Sequence, residues 1–226
     1  MRAVPFVLAI LLFAGCSGDK LMVGPPPPPP PLPESVTPQR AILRLIATFE
    51  QKRITEYAEL FTADFTYEFS NSTDPDLVTK YSTGWFKSDE TESSLHLFQG
   101  YTPAGQPFAP AAGSINIDFK TTQPVDDNGA GVDPVTHKYL VTGVDGQVVI
   151  ATSPDPTTYV IENNTNVFYL VRGDLANLSP GQPADSLHWY IDRWVDLTTA
   201  TKTRVGTNSP MPGRGTTWAR LKAAYR

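Results

Sequence analysis

The chain has 226 residues, of which 23 are acidic and 18 basic, so its formal net charge is −5 at pH 7. A mildly acidic chain lacks the dense positive surface of general nucleic-acid binders, and we expect no nucleic-acid partner. Aromatic residues make up 11% and charged residues 18%, which is typical of a folded β-rich protein. A single cysteine excludes a disulfide within the chain. No metal-binding, phosphate-binding or dinucleotide-binding motif is present, so we predict neither a metal nor a cofactor.

The first fifteen residues have the layout of an export signal. Arg2 gives a positive start, and Val4–Phe13 is almost wholly apolar, at about half the ~20 residues that cross a bilayer. Two small residues then precede Cys16, so the segment resembles the lipobox of bacterial lipoproteins. That resemblance implies that residues 1–15 are a lipoprotein signal peptide and that Cys16 is acylated to become the mature N-terminus. The alternative is an ordinary secretory signal with a chance cysteine.

Lipidation at Cys16 predicts a location in the bacterial cell envelope, with the membrane as a partner through the lipid anchor. In the lipoproteins that this segment resembles, an aspartate directly after the cysteine is a retention signal. This chain has Ser17 at that position. The outer membrane is therefore expected, on its periplasmic or surface face. The sequence leaves the oligomeric state open.

A proline-rich stretch follows the cysteine. Seven consecutive prolines, Pro25–Pro31, favour polyproline II and give a stiff spacer of roughly 20 Å. We predict that residues 16–36 are the lipidated cysteine and its spacer, which holds a single domain at 37–226 away from the membrane. A ligand for a proline-binding domain is the alternative.

The domain is predicted to begin with two helices and a strand. Thr37 and Pro38 suit the N-cap and first position of a helix. Four apolar residues then follow at helical spacing: Ile42, Leu45, Ile46 and Phe49. A second short helix is predicted from Thr55 to about Phe61, and aromatic residues alternate with polar ones over 65–69, which predicts a strand.

A third helix and a series of strands complete the prediction. The helix is placed within 85–98, capped near Ser88 and burying Leu95 and Phe98. Strands are predicted at 115–119, 138–152, 157–162, 166–172 and 187–197. Trp194 is one residue out of step with Trp189 and Ile191, so a β-bulge is expected near Asp192. A terminal helix is predicted over 217–225. Residues 202–226 carry six basic residues and no acidic one, which indicates a solvated face or an anion-binding patch.

Three segments carry a resemblance to the nuclear transport factor 2-like superfamily, which includes ketosteroid isomerase-like and SnoaL-like proteins. They are Ala41–Phe49 leading into Tyr57–Phe65, then Val167–Arg172, then Trp189–Asp196. The resemblance implies an α+β fold in which a strongly curved antiparallel sheet forms a cone around the N-terminal helices. It also implies a pocket at the open end of the cone. It leaves the activity open, because the superfamily includes isomerases, dehydratases, cyclases and non-enzymatic binding modules.

The preferred functional hypothesis is a non-catalytic binding domain on a lipid anchor. Tyr57, Phe65, Trp85 and Trp189 are the aromatic residues expected to line the pocket. Such a pocket takes a small apolar or amphipathic ligand. A sheet face that binds another envelope protein is the other form of this hypothesis.

The alternative is an envelope isomerase, dehydratase or hydrolase that acts by proton transfer in the cone pocket. The enzymatic members of the superfamily use Tyr, Asp and His side chains for this chemistry. The candidates in this chain are His96, Asp64 and Asp192. Asp64 is better explained as a turn residue between helix and strand, and Asp192 as a residue that faces solvent or lies in the expected bulge.

Overall fold

The computed structural model describes residues 28–105, 108–150, 157–180, 182–199 and 214–226. The chain divides into Met1–Pro30 and Pro31–Arg226, and the fold below is that of the second unit. The predicted signal peptide, Cys16 and the start of the proline run lie outside the described residues. No helix among the described residues is long and apolar enough to cross a membrane.

The fold combines helices with one large sheet. The described helices are α1 Pro38–Glu50, α2 Ile54–Ala58, α3 Pro75–Lys80, α4 Lys87–Gln99 and α5 Trp218–Ala224. The described strands are β1 Phe61–Glu68, β2 Trp85–Phe86, β3 Ala112–Thr121, β4 Val125–Asp126, β5 His137–Ile150, β6 Thr157–Gly173, β7 Asp185–Asp196 and β8 Arg214–Thr216. The predicted α+β class is confirmed.

The sheet is strongly curved and wraps around the helices. Its order is β2-β1-β7-β6-β5-β3, with β4 beside β5 and β8 beside β6. Helix α4 contacts β2 near one edge of the sheet and β3 at the other, and only a sheet that bends around the helix brings both edges to it. Most pairs are antiparallel, but β1–β7 and β6–β8 are parallel.

Helix α1 begins and packs as its sequence predicts. The Thr37 hydroxyl accepts a hydrogen bond from the Arg40 amide at 3.2 Å, and Pro38 occupies the first turn. Ile42, Leu45 and Phe49 are buried against the sheet, whereas Ile46 is half-buried at the margin of that face. The N-cap satisfies an amide that has no partner within the helix.

The second and third predicted helices correspond to α2 and α4, and both differ in detail from the prediction. Helix α2 ends at Ala58 rather than near Phe61, because Phe61 pairs with β7 and opens β1. Helix α4 starts at Lys87, where the Asp89 carboxylate accepts the Phe86 amide at 2.9 Å. It buries Leu97 and Phe98 and leaves Leu95 half-exposed. Helix α3 has no counterpart in the prediction.

The long strands include the predicted bulge and merge two of the predicted strands. The strands predicted at 157–162 and 166–172 form one continuous β6, because β5 pairs along nearly all of it. In β7, Ile191 pairs with Leu170 and Arg193 pairs with Tyr169, so Asp192 is the extra residue. The bulge restores the phase, and Ile191 and Trp194 are both fully buried.

The interior between the sheet and the helices is filled with aromatic side chains. The largest fully buried ones are Trp85, Trp194, Trp218, Tyr57, Phe49, Phe61, Phe65 and Phe168. Helix α5 contributes Trp218, whose ring centroid lies 4.9 Å from that of Phe49. The C-terminal helix is therefore part of the core.

Candidate functional site

The four aromatic residues predicted to line a pocket lie in the core. Tyr57, Phe65 and Trp85 are fully buried and Trp189 is 9% exposed. The rings of Tyr57, Phe65 and Trp85 pack against neighbouring rings; the Tyr57 centroid, for example, lies 5.0 Å from that of Phe61. None of the four lines either of the cavities described below.

His96, one of the three candidate catalytic residues, lies against the C-terminal end of the chain. Its Nδ1 is 2.7 Å from the Tyr225 carbonyl oxygen, and its ring stacks on Tyr101 at 4.0 Å between centroids. Both contacts hold the imidazole in a fixed orientation between packed groups.

Asp64 and Asp192 lie close enough to influence each other, and neither lines either of the cavities described below. Asp64 is exposed, and Asp192 accepts a hydrogen bond from the Thr62 hydroxyl at 3.1 Å. Burial raises the pKa of Asp192, and the charge of Asp64 raises it further. The structure does not bring His96 together with these two carboxylates.

A cavity of about 420 Å³ lies where the chain enters the domain, and we call it the spacer-side cavity. Its lining residues are Ser35, Arg44, Glu59, Leu60, Lys87, Gln182, Pro183, Asp185, His188 and Tyr190. The segment before α1 is held there because the Trp189 amide donates to the Ser35 carbonyl at 2.8 Å. The size suits a small organic ligand.

Three basic side chains line the spacer-side cavity. The Lys87 Nζ donates to the Phe61 carbonyl at 2.8 Å, and burial lowers the pKa of Lys87. Arg44 lies 3.9 Å from the Glu59 carboxylate. Among the described residues, Lys87 has no carboxylate within ion-pair distance, so two of its three ammonium hydrogens are available to a ligand.

His188 and Asp185 form a hydrogen-bonded pair in the same cavity. The His188 Nδ1 lies 2.6 Å from the Asp185 Oδ2, and this hydrogen bond lowers the pKa of Asp185. With Nδ1 committed to the carboxylate, Nε2 remains to bind a ligand or to exchange a proton. The three-residue spacing of Asp185 and His188 is the only local feature of the sequence that points to this cavity. Lys87 and Arg44 are far from them in the chain, and no local feature indicates them.

A second set of hydrogen-bonding side chains lies inside the core. We call it the interior cluster, and its members are Tyr57, Trp85, Glu90 and Lys222. Glu90 and Lys222 form an ion pair of 2.8 Å, with side chains 0% and 2% exposed. Tyr57 and Trp85 donate hydrogen bonds to the same carboxylate. Burial lowers the pKa of Lys222 to about 8, although the negative charge of Glu90 acts to raise it. The sequence analysis did not single out Glu90 or Lys222 for this role.

A further cavity of about 440 Å³ opens between β3, β5 and β6. It contains Asp118, Asp145 and Glu162. Asp145 is paired with Lys120 at 2.5 Å. In the part of the chain that the structure describes, no group of three or more His, Cys, Asp or Glu side chains is arranged to hold a metal ion.

No protein-family model matches this chain, and no curated protein sequence matches it. Among solved structures, it is similar to a protein from Novosphingobium aromaticivorans provisionally named an aromatic ring hydroxylase. The identity is 10%, the match covers 70% of this chain and 83% of the other, and the TM-score is 0.44. A provisionally named scytalone dehydratase from the same organism gives 9% identity, coverage of 70% and 78%, and a TM-score of 0.43.

A nuclear transport factor 2-like superfamily protein from Salmonella enterica serovar Typhimurium is also similar. It gives 9% identity, coverage of 75% of this chain and 92% of the other, and a TM-score of 0.41. Similarity at this level carries no information about chemistry, so the functional argument rests on the residues themselves.

Proposed function

We propose that this protein is a lipid-anchored envelope protein of the nuclear transport factor 2-like type. Its domain binds a small amphipathic ligand in the spacer-side cavity. The observation that carries the proposal is the composition of that cavity: Arg44, Lys87 and His188, the carboxylates of Glu59 and Asp185, and apolar surface line a volume of about 420 Å³. The two carboxylates are engaged by Arg44 and His188, which leaves Lys87 as the basic group without an acidic partner among the described residues. The filled interior supports the choice of this cavity over the open end of the cone, because the predicted lining residues are packed in the core.

The lining supports a ligand with an anionic or hydrogen-bond-accepting head. Lys87 offers free ammonium hydrogens beside the guanidinium of Arg44 and the imidazole of His188. Leu60 and the Tyr190 ring supply apolar surface for the rest of the ligand. A charge-assisted hydrogen bond in a cavity that excludes part of the water is stronger than one in bulk water. The head group is therefore expected to bind at Lys87.

An anionic amphipathic dye such as anilinonaphthalene sulfonate tests this proposal directly. Lys87→Ala is expected to weaken dye binding by roughly ten- to a hundredfold, since a hydrogen bond to a charged group contributes ~1.5–3 kcal/mol. Lys80→Ala is the matched control, because Lys80 is a lysine on exposed helix surface and does not line this cavity. Equal binding by both variants, measured by fluorescence titration, would contradict the assignment of this cavity.

The His188–Asp185 pair supports a second candidate, an enzyme that works by proton transfer. A histidine oriented by a carboxylate is a competent general base when its free nitrogen reaches a substrate. The reaction classes are isomerisation, dehydration and hydrolysis. Turnover of a small ester or hydroxy-ketone that is lost in His188→Gln but kept in His137→Gln would establish catalysis in this cavity. Turnover unaffected by His188→Gln would exclude this role of the pair.

A further inference from the structure

The interior cluster surrounds the Lys222 ammonium with the groups that recognise an organic cation. Nζ lies 2.8 Å from one oxygen of Glu90 and 2.9 Å from the other. The same carboxylate accepts the Trp85 indole N–H at 3.0 Å and the Tyr57 hydroxyl. Both of these donors are uncharged, so a cation is needed to balance the buried carboxylate.

Aromatic faces complete the surroundings of the ammonium. Nζ lies 3.5 Å from the ring centroid of Trp194 and 4.4 Å from that of Tyr67. Ring faces within about 6 Å attract a cation through the negative potential of the π-system. A carboxylate on one side and ring faces on the others therefore favour a compact positive head on a slender stem.

We infer that the interior of the sheet is a binding site for a primary ammonium group, and that this chain fills it with its own Lys222. Tyr57, Trp85 and Glu90 belong to α2, β2 and α4, and Tyr67 and Trp194 to β1 and β7. None of these elements is continuous with α5, so the site is built by the rest of the domain. The ligand class is a primary alkylammonium, opposite in charge to the ligand of the spacer-side cavity. The inference is independent of that proposed function.

Shortening the lysine tests the inference. Lys222→Ala removes the last three methylenes and the ammonium, which together have the shape of n-propylammonium. The unfolding midpoint of this variant is expected to rise with n-propylammonium chloride at roughly millimolar affinity, as befits so small a ligand. The neutral isostere 1-propanol is expected to give no rise at the same concentration. Sodium chloride at equal ionic strength corrects for screening.

Two further variants in the full chain make the test specific. Lys222→Met fills the space without a charge, and Lys80→Ala removes an exposed lysine outside the interior cluster. Neither is expected to respond to propylammonium. Equal stabilisation by propylammonium and propanol, no stabilisation by either, or the same response in the control variants would each overturn the inference. If Lys222→Ala does not fold alone, its refolding yield with propylammonium against propanol decides the matter by the same criterion.

Discussion

Lys222 carries a positive charge into a region from which water is excluded. Its partner Glu90 is held by two neutral donors as well, so the two charged side chains depend on each other. Removing one member of such a pair leaves an uncompensated charge, which costs more than the pair contributes when both are present. Single and double variants can therefore measure the coupling between the two charges.

Glu90→Gln is expected to lower the free energy of unfolding by about 3 kcal/mol, because the buried Lys222 ammonium loses its carboxylate. Lys222→Met combined with Glu90→Gln is expected to be less destabilised than the sum of the two single variants. Urea unfolding of the four proteins gives the coupling energy. Arg226→Met is the control: its partly exposed pair with Asp89 contributes less than about 1 kcal/mol. Additive single and double variants would show that the two charges are not coupled.

The pKa of Lys222 predicts a pH dependence with a definite sign. Burial lowers this pKa from 10.5 to about 8. Between these values the native protein has released the Lys222 proton while the unfolded chain retains it. Since the unfolded state then binds more protons, the stability of the wild type relative to Lys222→Met rises from pH 8 to pH 10.5, by on the order of 3 kcal/mol. Taking the difference removes the contribution of the tyrosines that both proteins share. A difference that is flat or falls over this range would contradict the prediction.

At the scale of the element, β7 depends on one inserted residue. Asp192 has no pairing partner on β6 and allows Ile191 and Trp194 to face the same core. Without it, residues beyond the bulge would move by one position and turn to the other face of the sheet. The side chain itself is not required for this effect.

Deletion of Asp192 is therefore expected to unfold the domain, because Trp194 would lose its place in the core. Asp192→Asn is expected to be neutral or slightly stabilising at neutral pH, since burial raises the pKa of this carboxyl and so disfavours its charged form. Circular dichroism and urea unfolding distinguish the two variants. A stably folded deletion variant would show that the register of β7 is not set by the bulge.

At the scale of the whole molecule, the basic C-terminal segment is an internal partner of acidic helices. In its described part, Arg220 pairs with Asp74 at 2.7 Å, Lys222 with Glu90 and Arg226 with Asp89 at 2.8 Å. Three of the six basic residues of 202–226 are therefore engaged within the domain. Attachment through a lipid on Cys16 remains our proposal.

Cys16→Ser is expected to abolish lipid labelling and to release the protein from the membrane fraction. Each buried methylene of an acyl chain contributes ~0.8 kcal/mol, so two or more chains hold a protein where a single chain binds reversibly. The measurement is fractionation of cells after metabolic labelling with a fatty acid, and Ser17→Ala is the matched control. A Cys16→Ser protein that stays with the membrane after a salt wash would show that something other than the lipid anchors it.

Local patterns in the sequence were sufficient for most elements. The cap at Thr37, the spacing within α1, the alternation over 65–69 and the bulge near Asp192 were all predicted and are present. Each of these features depends on residues only a few positions apart, which interact through backbone geometry and one buried face. The pairing of β1 with β7 and the inclusion of α5 in the core depend on residues more than a hundred positions apart.

The same division applies to function. By itself the sequence determined the class of the fold, the polarity of its surfaces and the pattern that predicts lipidation of Cys16, because these follow from composition and short motifs. Only the tertiary structure decided that the predicted aromatic residues fill the core, that Lys87 and His188 share a cavity, and that Lys222 meets Glu90. The physical reason is that a site is defined by which distant side chains the curved sheet brings together and by how much water it excludes around them.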